Sequence, residues 1–140
     1  GAFLGAPALW LLPVVFPLVM AAGAALAVLG VTLPGVETGI ALSAVVLGLA
    51  VAFRLKPPLW VSAALVGLFA IFHGHAHGTE LPAATDAVGY AVGFVIGTGL
   101  LHLVGILIGL PVRWNTGLMA VRALGGAIAI AGMAFLTGVA

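Results

Sequence analysis

The chain has 140 residues, of which 64% are hydrophobic and only 5% are charged, and its mean hydropathy is +1.40. Soluble domains carry about 25% charged residues, so the composition excludes a water-soluble globular protein and predicts an integral membrane protein. The net charge of +1 leaves no basic patch that would bind nucleic acid. Cysteine is absent, which excludes disulfides, thiolate metal ligands and a cysteine nucleophile.

Five apolar stretches predict an all-α transmembrane helix bundle that forms a single domain over residues 1–140, because a spanning helix needs about 20 mostly apolar residues. Prolines separate the stretches, and proline interrupts a helix because it lacks the backbone N–H. In chain order, the predicted helices cover residues 8–30, 36–53, 59–78, 87–110 and 117–139, with breaks at Pro34, Pro57-Pro58, Pro82 and Pro111.

The basic residues predict the orientation of the bundle, since cytoplasmic loops carry an excess of Lys and Arg. Arg54 and Lys56 lie between the second and third helices, and Arg113 lies between the fourth and fifth. Both loops lie on the same side of the membrane, which is therefore predicted to be cytoplasmic. The acidic residues all fall on the opposite side: Glu37, Glu80 and Asp86.

Glycines form two rows with a four-residue spacing on the fourth predicted helix. The first row is Gly89, Gly93 and Gly97, and the second is Gly105 and Gly109. In lipid, such rows let helix backbones approach closely, so they predict tight packing of this helix against neighbours. A gap that lets an ion pass between helices is the alternative interpretation.

The most informative segment is the end of the third predicted helix, where residues 72–80 read FHGHAHGTE. At 100° per residue, His73, His77 and Glu80 share one face of the helix, and His75 points in roughly the opposite direction. Ionisable side chains at membrane depth are costly and by default indicate a function. Imidazole and carboxylate groups suit divalent transition metals. The segment therefore predicts metal ligands, with a solvated interfacial patch as the alternative and His75 as a supporting or interfacial residue.

Other helices must complete such a metal site, and two residues are candidates. Glu37 lies in the first turn of the second helix on the same outer side as Glu80, although a charge there also simply suits a helix N-terminus. His102 is predicted about 21 Å below the outer end of the fourth helix, whereas His73 lies about 7 Å below that of the third. His102 is therefore predicted to be a deeper station for the ion, or else a hydrogen-bonded packing residue.

Three hydroxyl residues are placed among these candidates. Ser43, Thr38 and Thr98 are predicted to make hydrogen bonds between helices in preference to binding the metal through oxygen.

The histidine-rich segment also resembles a known family. Residues 69–80, FAIFHGHAHGTE, look like the signature of the HupE/UreJ family of nickel/cobalt permeases. The resemblance covers nearly all of the chain, and further matches are Ala8-Leu9-Trp10 with Pro13 and Phe16, Pro34-Gly35-Val36-Glu37, Ile40 to Ser43, Gly93-Phe94 and Leu100-Leu101-His102.

The resemblance implies a six-helix secondary permease for Ni²⁺, with Co²⁺ as a second cargo, in the bacterial inner membrane and often tied to hydrogenase or urease maturation. Carried over by position, Glu37, His77 and Glu80 are the strongest functional candidates, and His73 comes next. Family members have an earlier helix with a His-Pro start and an Asp-His pair, which is not in this sequence. Its Asp and His would be natural partners for the ligands on the third helix, so the metal site is expected to be incomplete without it.

Several functions remain open from the sequence. The leading hypothesis is a permease that captures Ni²⁺ from the periplasmic side, and the runner-up is an accessory or structural subunit of a larger membrane complex. Imidazole and carboxylate suit Ni²⁺, Co²⁺ and Zn²⁺ alike. The predicted partners are the lipid bilayer, the metal ion, and a membrane-protein partner or second copies of the chain.

Two further functions are disfavoured. A haem carrier with two axial histidines would need ligands at similar depth, which is not predicted for His73 and His102. A protease or other enzyme is not expected, because the His-Glu-x-x-His pattern is absent and no serine motif adjoins a histidine.

Overall fold

The structure is a computed structural model, and it describes residues 3–81 and 87–139. Within that part of the chain there are helices and no strands, which confirms the all-α prediction. The helices are α1 (Ala6–Val28), α2 (Val36–Ala52), α3 (Leu59–Thr79), α4 (Ala87–Gly109) and α5 (Asn115–Thr137), and a short 3₁₀ helix (Leu110–Arg113) joins α4 to α5. Every predicted boundary lies within two residues of the observed one.

Proline and glycine end the helices where the sequence predicts breaks. Pro58 has an extended backbone and precedes α3, and Pro111 lies in the 3₁₀ turn after α4. Gly35 precedes α2 with φ 69°, a left-handed conformation that residues with a Cβ adopt only at a cost. The predicted break at Pro82 and the predicted outer position of Asp86 lie outside the described residues.

The lengths and surfaces of the helices are those of a membrane protein. Four helices are long and apolar enough to cross a bilayer, and α2 is shorter, with 17 residues. At 1.5 Å per residue, α2 is about 25 Å long, at the lower end of the spanning range. Large apolar side chains point outward, among them Leu101 at 74% and Ile130 at 73% exposed. Such a surface is stable in lipid and would aggregate in water.

The helices pack in an order that differs from the chain order. The closest pairs are α1 with α3 and α2 with α5, while α2 also contacts α3 and α4 contacts α1. The spatial order of the described helices is therefore α4, α1, α3, α2, α5. Helix α3, which carries the histidine-rich segment, lies in the middle of the bundle.

Small residues make the two close interfaces possible. A Cβ at Gly74 or Gly78 of α3 would overlap the backbone of α1 at Met20 or Ala24. In the same way, a Cβ at Gly125 of α5 would overlap the backbone of α2. Both pairs of helices therefore approach backbone to backbone, as small residues allow in lipid.

The prediction of tight packing is wrong for Gly93, Gly97 and Gly105 of α4 within the described part of the chain. A Cβ at Gly93, Gly97 or Gly105 would have no heavy atom within 4 Å among the described residues. The reason is that α4 contacts the bundle through α1 over a limited surface, and these glycines do not lie in that contact.

Candidate metal site

The end of α3 is helical through all of its candidate ligands. The helix reaches Thr79, and Glu80 follows with helical backbone angles while its N–H donates to the carbonyl oxygen of Ala76 at 3.0 Å. The predicted face that carries His73, His77 and Glu80 is therefore continuous, because no turn interrupts it. The glycines that alternate with the histidines face α1, and this places α1 directly beside the segment.

His75 lies on the other side of α3, as predicted, and it connects helices. Its side chain is buried, and Nε2–H donates to the carbonyl oxygen of Val31 at 2.8 Å, in the loop between α1 and α2. No hydrogen-bond partner of Nδ1 lies within the described part of the chain. This geometry supports a structural role for His75, since both ring nitrogens are enclosed by protein.

His73 lies where three helices meet. Its Nε2 is 3.0 Å from the hydroxyl oxygen of Ser43 on α2, which confirms the predicted interhelical bond of that serine. Its ring packs edge-on against Phe16 of α1, with the ring centroids 5.8 Å apart. The half-buried imidazole is therefore held from two sides.

His77 lies one turn further along α3 and faces α4. Its ring packs edge-on against Phe94, with the centroids 5.2 Å apart, and Phe94 stacks on Tyr90 at 6.2 Å. The imidazole is half-buried. His77 therefore lies at the junction of α3 and α4, closer to the C-terminal end of α3 than His73.

His102 of α4 also approaches α1. Its Nδ1–H donates to the carbonyl oxygen of Thr98 one turn earlier, at 2.8 Å, so Nε2 carries the free lone pair. Its ring lies 5.5 Å from Phe16, between ring centroids. The same Phe16 ring therefore contacts both His73 and His102. Because both rings contact Phe16, His73 and His102 lie nearer to each other than their predicted depths imply.

A cavity of about 380 Å³ opens beside His102. Its wall is otherwise largely apolar and includes Leu9 and Pro13 of α1 together with Phe16. Pro13 and Pro17 lie inside α1 and lack the N–H that would bond the carbonyls of Leu9 and Pro13. The carbonyl groups of Leu9 and Pro13 therefore lack the i+4 N–H donor of a regular helix, in the same region as the imidazole.

The two candidate carboxylates are exposed at the end of the bundle that the sequence predicts to be the outer one. Glu37 lies in the first turn of α2, and Glu80 caps α3. The Phe72 ring fills the space where a Cβ of Gly39 would be, which keeps the start of α2 against the outer half of α3. Both carboxylates therefore belong to the same end of one pair of helices, α2 and α3.

The described residues do not by themselves form a complete metal centre. Within residues 3–81 and 87–139, no group of three or more His, Asp or Glu side chains is close enough to hold one ion. Imidazoles are present at successive positions along the bundle instead. Ligand roles for His73, His77, Glu80, Glu37 and His102 remain predictions.

The position of Phe16 beside two histidines could not be predicted from the helical periodicity of α3. An aromatic residue on a different helix carries no periodic signal that would link it to His73 or His102, and its place among the residues that resemble the permease family was the available clue.

Comparison with known proteins identifies the family. The family model described as HupE / UreJ protein matches residues 1–135. The chain belongs to the HupE/UreJ family. Protein HupE of Rhizobium leguminosarum bv. viciae is 47% identical over 135 residues, which cover 96% of this chain and 71% of that protein. No solved structure is significantly similar to the chain.

Membership in the HupE/UreJ family confirms the resemblance predicted from the histidine-rich segment. The family is of the transporter type and is associated with nickel and cobalt uptake. The apolar helices agree with a protein that spans a membrane. The chain is accordingly a membrane protein of a metal-uptake family.

Proposed function

We propose that the chain is a permease for a divalent transition metal, with Ni²⁺ as the first cargo and Co²⁺ as the second, taken up from the periplasmic side of the bacterial inner membrane. The observation that carries the proposal is the series of imidazoles that runs along the bundle. His77 faces α4, His73 lies between α1 and α2, and His102 shares the Phe16 ring with His73. Such polar groups in an apolar bundle mark an ion pathway by default.

The proposed path begins at the exposed end of α3. Glu80 and Glu37 attract the hydrated cation, and His77 replaces part of its water shell, because imidazole is a better ligand than water for Ni²⁺ and Co²⁺. The ion then passes to His73 and on to the Nε2 lone pair of His102 beside the cavity. Each binding position along the path offers few ligands, so the ion is held weakly enough to leave, as conduction requires.

A second candidate function is that of an accessory subunit in a larger membrane complex. The observation that favours it is that the described residues bring no three metal-ligating side chains together. A site completed by a partner would explain this arrangement. In that case the chain supplies imidazoles to a pathway that it does not form alone.

Uptake of radioactive Ni²⁺ by cells that express the chain separates the two functions. The test variant is the double substitution His77→Ala, Glu80→Ala, and the matched control is Thr79→Ala. Thr79 lies between the two on exposed helix, and its hydroxyl bonds the carbonyl of Ala76 in the same helix. A permease gives uptake that the double variant loses and the control retains.

The accessory function predicts a different pair of results. Cells that contain the folded chain would then take up no more Ni²⁺ than cells without it, and the chain would purify in a stoichiometric complex with another membrane protein. Uptake that the double variant retains in full would contradict the assigned path.

A further inference from the structure

The hydroxyl of Ser43 links α2 to the imidazole of His73 on α3. Its oxygen lies 2.6 Å from the carbonyl oxygen of Ile40 and 3.0 Å from Nε2 of His73. Ser43 is only 6% exposed, so bulk water does not compete for these contacts. The buried hydroxyl therefore has two partners and a single proton to share between them.

The shorter distance decides where that proton lies. The Ile40 carbonyl can only accept a hydrogen bond, and 2.6 Å is within the normal range of an O–H···O bond. Without a proton between them, the two oxygens would face each other with lone pairs at that distance, which is repulsive. Ser43 therefore donates to Ile40 and accepts from His73.

This direction fixes the tautomer of His73. Because the Ser43 oxygen accepts this hydrogen bond, Nε2 of His73 must carry the proton. In the neutral ring Nδ1 then carries the free lone pair. His102 has the opposite arrangement, because its Nδ1–H donates to Thr98 and its Nε2 is free. The two imidazoles thus offer a metal ion different nitrogens.

We propose that Ser43 is a positioning residue for metal transfer, and that it holds His73 in the tautomer whose Nδ1 binds the transported ion. The inference rests on the proposed permease function. Metal-binding histidines almost always donate their other ring N–H to a fixed acceptor, which sets the orientation of the ring and raises its basicity. For His102 that acceptor is a backbone carbonyl, whereas for His73 it is a side chain that can be replaced.

The experiment compares three variants of the full chain in lipid nanodiscs. Ser43→Ala removes the acceptor, and Ser43→Thr keeps a hydroxyl that can bond the same helix carbonyl. Ser62→Ala is the matched control. Ser62 of α3 is also 6% exposed, and its hydroxyl donates to the carbonyl oxygen of Pro58, the residue that precedes α3, and not to a histidine. Two readouts are taken for each protein: NMR of labelled imidazole nitrogens, and calorimetric titration with Ni²⁺ alone.

The NMR readout reports the tautomer directly, because the protonated and unprotonated ring nitrogens give distinct signals. The chain has four histidines, so the His73 signals are assigned by their absence in His73→Gln. We expect Nε2 to be protonated in the native protein and in Ser43→Thr, and a mixture of both tautomers in Ser43→Ala. We expect Ni²⁺ affinity to fall by about 10-fold to 100-fold in Ser43→Ala and to be unchanged in Ser62→Ala.

Other outcomes would overturn either the positioning role of Ser43 or the proposed metal-permease function on which that role rests. Protonation of Nδ1 in native His73, or an unchanged Ni²⁺ affinity in Ser43→Ala, overturns the positioning role while metal binding stands. A native protein that has the expected tautomer but does not bind Ni²⁺ overturns the metal function and with it the role assigned to Ser43 in transfer.

Discussion

Replacing Gly74 with alanine is expected to destabilise the pairing of α1 with α3 and, through it, the histidine-rich segment. The added Cβ would overlap the carbonyl group of Met20, which belongs to a helix backbone and cannot rotate away. The two helices must therefore separate. Phe16 and Val31, which contact His73 and His75, belong to α1 and the loop that follows it, so separation also loosens the site.

The magnitude follows from two opposing effects. Overpacking a close interface costs about 1–3 kcal/mol of stability. Alanine offsets about 0.5–1 kcal/mol of that cost, because a helix is more stable with alanine than with glycine at an interior position. A net loss of about 1–2 kcal/mol in the free energy of unfolding is expected, which changes the folded-to-unfolded ratio about tenfold.

Gly67→Ala provides the control, because it lies in the same helix pair. There the nearest atoms to an added Cβ are Val15 Cγ1 and Val19 Cγ2, both at 4.0 Å, which is ordinary van der Waals contact. Unfolding in detergent, followed by tryptophan fluorescence, should show Gly74→Ala as less stable than native and Gly67→Ala as equal or slightly more stable. Equal stability of the two variants would refute the close approach of α1 and α3.

Two further predictions concern histidine chemistry. His75→Ala removes the donor to Val31 and leaves a void in a buried position, so the free energy of unfolding should fall by about 1 kcal/mol or more. Ni²⁺ affinity, measured by calorimetry on the folded protein, should be retained. Loss of binding without loss of stability would make His75 a ligand. Ni²⁺ binding should weaken as the pH falls below about 6, because a ligating imidazole must be neutral and protons compete for its lone pair. A dissociation constant that is the same at about pH 7.5 and about pH 5.5 would argue against histidine ligands.

The bounds of the helices and the face of α3 that carries His73 and His77 could both be predicted from the sequence. Proline breaks and apolar length locate each helix, because both are local properties. Helical periodicity places His73 and His77 on one face and His75 on the other, since that needs only the angle per residue. The interhelical hydrogen bond of Ser43 was also predicted, although its partner was not.

The arrangement of the helices could not be read from the sequence, because every helix is apolar on most of its surface and offers no single buried stripe. The glycine rows misled: Gly93, Gly97 and Gly105 face open space among the described residues. Gly74 and Gly78, within the histidine-rich segment, instead form the close contact with α1. The association of Phe16 with both His73 and His102 depends on that arrangement. It could only be seen once α1 was placed against both α3 and α4.

The central claim is that this chain moves Ni²⁺ through its own imidazoles, and flux into proteoliposomes tests it most directly. The vesicles contain the purified chain and an enclosed metal-sensitive dye, and Ni²⁺ is added outside. The account predicts flux above that of protein-free vesicles, loss of that flux in the His77→Ala, Glu80→Ala variant, and native flux in Thr79→Ala. Folded native protein that gives no more flux than protein-free vesicles, or a double variant as active as native, would contradict it.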